Sequence, residues 1–194
     1  MATRYLLHGG SPFTPNDGGS PFTPNVANDA FIREILTGGA SPLHVLSVCF
    51  ARSSPDRALA CQKACMGRFE ANNTSGLRLS FELADSAIFE AQVSRAGVVF
   101  LHGGDTSKLL AALRPYDLQN LFEGKVVAGE SAGSYALSTR FFSKTEGGVF
   151  QGLGLVPAQI ICHYAGVNQE RLPPDPGLDT WLLPDFHYRV HIRP

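Results

Sequence analysis

Short apolar runs, each closed by glycine or a polar cluster, recur along the chain. Tyr5 to Leu7, His44 to Phe50, Gly97 to Leu101 and Lys125 to Ala128 are too brief for helices and predict strands. Between them, apolar residues return at helical spacing over Asn28 to Leu36, Asp56 to Phe69, Ser86 to Ala96 and Ser107 to Leu113, which predicts four amphipathic helices. Alternation of strand and helix implies an α/β fold with a mainly parallel sheet flanked by helices. In such sheets ligands bind beyond the carboxyl ends of the strands, so the loops there are where chemistry is expected.

One segment interrupts this pattern. Residues Gly9 to Asn16 reappear almost at once as Gly18 to Asn25, with only Asp17 between the copies. Two short Gly/Pro units cannot build a solenoid, which needs three or more packed repeats. The duplication is therefore expected to be a long loop, 9–25, after the first strand. A tolerated insertion accounts for it, because loops lengthen at little thermodynamic cost. A lid over the strand ends is the alternative.

With 194 residues the chain fits a single domain, residues 1–194. Hydrophobic residues make up 44% and charged residues 17%, enough apolar content for a folded core. The formal net charge of −1 supplies no positive field to gather phosphates, so neither nucleic acid nor an anionic membrane surface is an expected partner. No apolar stretch has the length of a bilayer span or of a signal peptide, and the expected location is the cytoplasm. The four cysteines, Cys49, Cys61, Cys65 and Cys162, are scattered rather than framed for disulfides. Cys61 and Cys65 are spaced as neighbours on one helical face, unlike the two-residue gap of zinc knuckles, so core packing is expected and no metal.

The densest chemical signal is Lys125-Val-Val-Ala-Gly129-Glu130-Ser131-Ala132-Gly133-Ser-Tyr-Ala-Leu137: a buried strand, a tight turn and the start of a helix. That is the setting of a nucleophile elbow, in which glycines before and after the serine let strand and helix approach while the turn pushes the hydroxyl outward. The bland alternative makes Ser131 a small helix N-cap. A second glycine turn, His102-Gly103-Gly104-Asp105-Thr106, follows the strand Val98 to Leu101. Serine hydrolases of this design take one oxyanion donor from the residue after the nucleophile, here Ala132, and another from a neighbouring strand-end loop, for which Gly104 is the candidate. Asp105 or Thr106 can cap the following helix at the same time.

A serine nucleophile needs a base, and the base an orienting acceptor. Six histidines compete. His187 and His191 lie in Asp185 to Ile192, which alternates like a strand and would hold the two rings roughly 13 Å apart, too far to share a metal. His8 and His102 precede Gly-Gly turns and could line a site, while His44 begins a strand and reads as structural. His163 ends the apolar run from Leu155, on the catalytic rim, and leads narrowly.

The turn Gly103-Gly104-Asp105-Thr106, the elbow Ser131-Ala132-Gly133, and the segment Gly154-Leu155 to His163 with Glu170-Arg171-Leu172 after it together resemble the peptidase E family. These are serine dipeptidases that share the flavodoxin-like sandwich of class I glutamine amidotransferases and include the cyanophycinases. The likeness runs from the first strand to Leu172 and is weak beyond. It implies Ser131 as nucleophile, His163 as general base and Glu146, in the stretch after the elbow helix, as the orienting acid. It also implies a Ser-His-Glu acyl-enzyme mechanism without cofactors, acting on dipeptides with amino-terminal aspartate. Arg171 is the expected reader of the aspartyl carboxylate. Glu130 departs from the family pattern: a carboxylate beside a site for acidic substrates is electrostatically awkward, unless it binds the substrate's amino group. The partner expected is a small peptide, and homodimerisation is left open. A cyanophycinase-like or other amide hydrolase, or an inactive relative acting as a binding module, is the competing expectation.

Overall fold

The computed structural model describes residues 2–11 and 26–194. Nearly all of the duplicated loop, and with it the lid expectation, lies outside the described residues. Six strands form one sheet: β1 (Thr3–His8), β2 (Leu43–Val48), β3 (Leu79–Leu83), β4 (Val98–Leu101), β5 (Val126–Glu130) and β10 (Tyr188–Arg193), in the order β10-β1-β5-β4-β2-β3. All neighbours are parallel except β10, which runs antiparallel to β1.

Side chains alternate across this sheet, as the period of two in a strand requires. Val99, Leu101, Leu46, Val48 and Val127 enter one apolar cluster. Val98, Phe100, Val45 and Ala128 enter another on the opposite face. Helices cover both faces. Phe31, Ile32 and Ile35 of α1 (Val26–Leu36), with Cys65 and Phe69 of α2 (Pro55–Ala71), close the second cluster. Phe89 and Val93 of α3 (Phe89–Arg95), Leu109, Leu110 and Leu113 of α4 (Thr106–Leu113), and Leu118 of the short α5 (Leu118–Leu121) close the first.

The helix boundaries follow local chemistry. Ser54 caps α2 by accepting the Arg57 N–H at 3.3 Å, with Pro55 in the first turn, where its missing N–H costs nothing. Asp105 caps α4 by accepting the Lys108 N–H at 3.0 Å. At α3 the helix begins three residues later than the periodicity predicts, because the Asp85 carboxylate takes the Ala87 N–H at 2.9 Å and holds that segment as a turn.

Beyond α6 (Ala132–Leu137) the chain builds a second sheet from β6 (Ser138–Ser143), β7 (Gly148–Gln151), β8 (Val156–Cys162) and β9 (Asp179–Leu183), in the order β7-β6-β8-β9. Val156, Ala158, Ile160, Trp181 and Leu183 from this sheet join the first cluster, so one continuous core spans both sheets. The packing brings the ends of β1, β5, β8 and β9 to one edge. Among the described residues, no helix is long and apolar enough to cross a membrane.

Candidate active site

Ser131 stands between β5 and α6 with φ 48° and ψ −108°, a conformation that serine rarely adopts. Such strain persists only where the surroundings enforce it. Here the Ser131 N–H donates to the His8 carbonyl (3.0 Å), and the Tyr135 N–H donates to the Ser131 carbonyl (2.9 Å). Buried Ser134 pins the same turn: its Oγ accepts the His8 N–H at 2.9 Å and lies 2.8 Å from the Gly129 carbonyl. Side chains on the flanking glycines would collide with backbone. A Cβ on Gly129 would meet Gly133 C at 2.6 Å, and one on Gly133 would meet the Leu101 carbonyl oxygen at 2.1 Å. The sequence pattern Gly-Glu-Ser-Ala-Gly is therefore demanded by the close approach of strand, turn and helix.

The imidazole of His163 completes the contact. Its Nε2 lies 2.9 Å from Ser131 Oγ, and its Nδ1 lies 2.6 Å from Asp185 Oδ1. The Asp185 bond fixes the tautomer: Nδ1–H donates to the carboxylate, leaving Nε2 to accept from the serine hydroxyl. His163 leaves β8 with φ 52°, its N–H donating to the Gly9 carbonyl at 3.0 Å. Asp185 sits in the turn between β9 and β10, tied to the first strand's loop by Gly9 N–H to the His187 carbonyl (2.8 Å) and Phe186 N–H to the Gly10 carbonyl (3.3 Å). Gly10 packs flat on this pair, since a Cβ there would lie 2.0 Å from His163 Cε1 and 2.7 Å from Asp185 Oδ1.

Glu146 does not meet His163 in this way. Its backbone N–H donates to Ser143 Oγ at 3.2 Å and its carboxylate accepts from Ser107 Oγ at 3.4 Å, on the exposed turn between β6 and β7. It belongs instead to the wall of a cleft of about 560 Å³, lined also by Gly104, Asp105, Ser131, Tyr135, Lys144 and His163. That volume suits a small ligand. A larger cavity, about 740 Å³, opens at the opposite ends of the strands. It is remote from Ser131, and its basic groups are already engaged: Arg4 by Glu34, Arg95 by Glu82, and Lys125 by the Ala96 carbonyl.

Of the expected oxyanion donors, Gly104 lines the cleft with φ 137°, and a Cβ there would be 2.5 Å from the Ala51 carbonyl oxygen. Ala132 is the first residue of α6, directly after the nucleophile. Two other expected residues lie elsewhere. Arg171 is exposed on a 3-10 turn, Gln169–Arg171, and is not among the residues lining the cleft. Glu130 is 6% exposed and turns away from the cleft, 3.5 Å from His102 Nδ1 and 3.6 Å from Arg52 Nη2, and it accepts the Gly103 N–H. Burial opposes ionisation of Glu130, but the hydrogen bond and charge of His102, with Gly103 and Arg52, hold its pKa below the usual carboxylate range. The awkward carboxylate is neutralised behind the site.

Three other histidines, His8, His102 and His44, are held within the fold. His8 and His102 are fully buried. His8 Nε2 lies 3.1 Å from Asn28 Oδ1 while Nδ1 accepts the Gly10 N–H, and burial lowers its pKa to about 4. His44 bridges Ser80 and Glu82 at 2.8 and 2.9 Å. Cys162, buried behind Ser131, has its thiol pushed up by desolvation and is held protonated.

A strained serine on a strand-to-helix turn, in contact with a histidine held by a carboxylate, on a mainly parallel α/β scaffold, defines a serine hydrolase. The profile of peptidase family S51 matches residues 44–176, and the chain belongs to that family of serine-type peptidases. Ser131, His163 and Glu146 fall inside the matched span; Asp185 falls beyond it. Among solved structures, a peptidase from an acI-B1 Actinobacterium is similar at a TM-score of 0.68 and 18% identity, over 98% of this chain and 84% of that one. A proposed peptidase E protein from Listeria monocytogenes EGD-e is similar at 0.66 and 14% identity, over 100% of this chain and 98% of the other. No protein of curated function matches the sequence.

Asp185, the carboxylate that meets His163, is the residue of this arrangement that sequence reasoning missed. Its signal was a Pro-Asp pair closing the apolar Trp181-Leu182-Leu183, a strand end at the catalytic edge. The alternation of the following residues drew attention to His187 and His191 instead.

Proposed function

We propose that the protein hydrolyses short peptides, with dipeptides bearing amino-terminal aspartate as the preferred class, through Ser131, His163 and Asp185. The contact that carries this reading is the 2.9 Å approach of His163 Nε2 to Ser131 Oγ, backed by the 2.6 Å bond from Nδ1 to Asp185. His163 takes the hydroxyl proton as Ser131 Oγ attacks the scissile carbonyl, and Asp185 stabilises the imidazolium that forms. The N–H groups of Gly104 and Ala132 hold the oxyanion. His163 then protonates the departing amine, and water repeats the cycle on the acyl-enzyme to release the acid.

Charge in the cleft supports an amino-terminal substrate. Asp105 and Glu146 offer carboxylates to a free ammonium group, and Lys144 is the lysine or arginine on the lining among the described residues. Lys144, rather than Arg171, is assigned to the aspartyl carboxylate.

A panel of Asp-Leu, Glu-Leu and Ala-Leu, offered to the wild type, Ser131→Ala, Lys144→Met and Arg171→Met, tests the proposal. Cleavage confined to Asp-Leu, abolished in Ser131→Ala, weakened in Lys144→Met and unchanged in Arg171→Met is expected. Hydrolysis that survives in Ser131→Ala would overturn the mechanism, and equal cleavage of all three dipeptides would overturn the substrate class.

A further inference from the structure

Directly behind the Gly103-Gly104 turn lies a cluster that the proposed hydrolysis does not use. Cys49 follows β2, Cys61 lies on α2 and His102 opens the turn, and Cys49 Sγ, Cys61 Sγ and a ring nitrogen of His102 all fall within 4.8 Å of one another. Cys61 Sγ is 3.2 Å from Arg52 Nη2 and 3.2 Å from His102 Nδ1. Cys49 is buried, whereas Cys61 is only half-buried and open to small solutes.

We propose that Cys61 and Cys49 are an oxidative modification site, a thiol pair that a peroxide converts into a disulfide behind the oxyanion turn. Cys61 Sγ has the Arg52 guanidinium and the His102 ring on it at 3.2 Å each, a setting that favours the thiolate, and thiolate character with access is what makes a cysteine reactive. The hydrogen bond from Cys49 lowers the Cys61 pKa most; burial works against it, and His102 and Arg52 add to the lowering. The same hydrogen bond, with burial, raises Cys49, which waits as the protonated resolving thiol. A guanidinium 3.2 Å from the sulfur favours an anion there over a second cation, so thiol chemistry is favoured over metal ligation.

The steps balance. Cys61 sulfur attacks the peroxide, the O–O bond breaks, and with one proton taken up the products are Cys61 sulfenic acid and an alcohol, or water from hydrogen peroxide. Cys49 sulfur then attacks the sulfenic sulfur, its proton leaves with the hydroxyl as water, and the S–S bond forms. A dithiol reduces the pair again.

The pair is coupled to the site through the backbone. The end of β2 and the segment after it carry the oxyanion turn: His102 N–H donates to the Val48 carbonyl (3.0 Å), and Asp105 N–H donates to the Ala51 carbonyl (3.0 Å), the same oxygen against which Gly104 packs. Drawing Cys49 toward α2 pulls on this brace. It also removes the thiolate facing Arg52 and His102, two of the partners of Glu130 next to Ser131.

The test treats reduced protein with a small excess of hydrogen peroxide, followed by non-reducing peptide mapping, which reads the pair whatever the substrate is. A Cys49–Cys61 linked peptide is expected, with Cys65 and Cys162 still free. In Cys49→Ser a dimedone adduct should accumulate on Cys61, and Cys61→Ser should lose no thiol to peroxide. Absence of the linked peptide with Cys61 still alkylatable overturns the proposal; so does stoichiometric zinc in the purified protein that shields the thiols until chelated. Fluorophosphonate labelling at Ser131 should slow by roughly tenfold on oxidation, less than deletion of a whole oxyanion donor, and recover with dithiothreitol. A rate unchanged by the disulfide overturns the coupling.

Discussion

Gly10 shows how one missing side chain fixes the pairing of His163 with Asp185. The atoms that an added methyl would meet are the His163 ring and the Asp185 carboxylate, both half-exposed side-chain groups that can yield, rather than backbone that cannot. Gly10→Ala therefore falls on activity more than on folding. Adding a Cβ at φ 148° costs about 1–3 kcal/mol, a shift in Tm of roughly 2–12 °C for a chain of this size. Displacing His163 by even an ångström costs on the order of a hundredfold in turnover. Measured kcat and thermal melts on this variant should separate in that way; a variant that unfolds outright, or one that keeps full turnover, would contradict the packing described.

At the scale of elements, the parallel core was legible because its strands are continuous apolar runs and its helices keep the 3.6 period. The predicted strand at His44 to Phe50 is observed as Leu43–Val48, and the predicted helix at Asp56 to Phe69 as Pro55–Ala71, longer because Ser54 and Pro55 start it. The second sheet was largely illegible. Strand β6 reads Ser-Thr-Arg-Phe-Phe-Ser and follows α6 with no turn residue between, while β7 is four residues with three of them exposed. Edge strand β3 is mostly half-buried and lacks a clear alternation. The site divides along the same line. Ser131 is marked by local glycine spacing, whereas the end of an apolar run puts His163 only narrowly ahead of the other histidines. Asp185 reaches the histidine only because β9 and β10 bring their connecting turn against the loop of β1, a contact between residues 22 apart that no local pattern encodes. Glu146, nearer Ser131 in sequence, is carried off by the β6–β7 hairpin to the cleft wall.

At the scale of the whole molecule, the buried network around the elbow makes stability depend on pH. Burial lowers the His8 pKa to about 4, so the folded protein keeps His8 neutral where the unfolded chain, with a value near 6.5, takes up a proton. Its contribution is full above pH 6.5 and is lost as pH falls from 6.5 to 4, a difference of about 3 kcal/mol at 1.36 kcal/mol per unit. Urea unfolding at pH 7 and pH 4.5 should show a steeper loss in the wild type than in His8→Gln, and parallel losses would contradict the assignment. The strained serine, its imidazole and the carboxylate from the far end of the chain hold the central claim together, and it can be tested without knowing the substrate. The measurement is the second-order rate of fluorophosphonate labelling at Ser131 in wild type, Asp185→Asn and Glu146→Gln, read by mass spectrometry. A fall of roughly a hundredfold or more in Asp185→Asn, where the wrong tautomer is favoured, with Glu146→Gln within several-fold of wild type, is the predicted result. Rapid labelling of Asp185→Asn alongside a collapse in Glu146→Gln would contradict it and return the orienting role to Glu146.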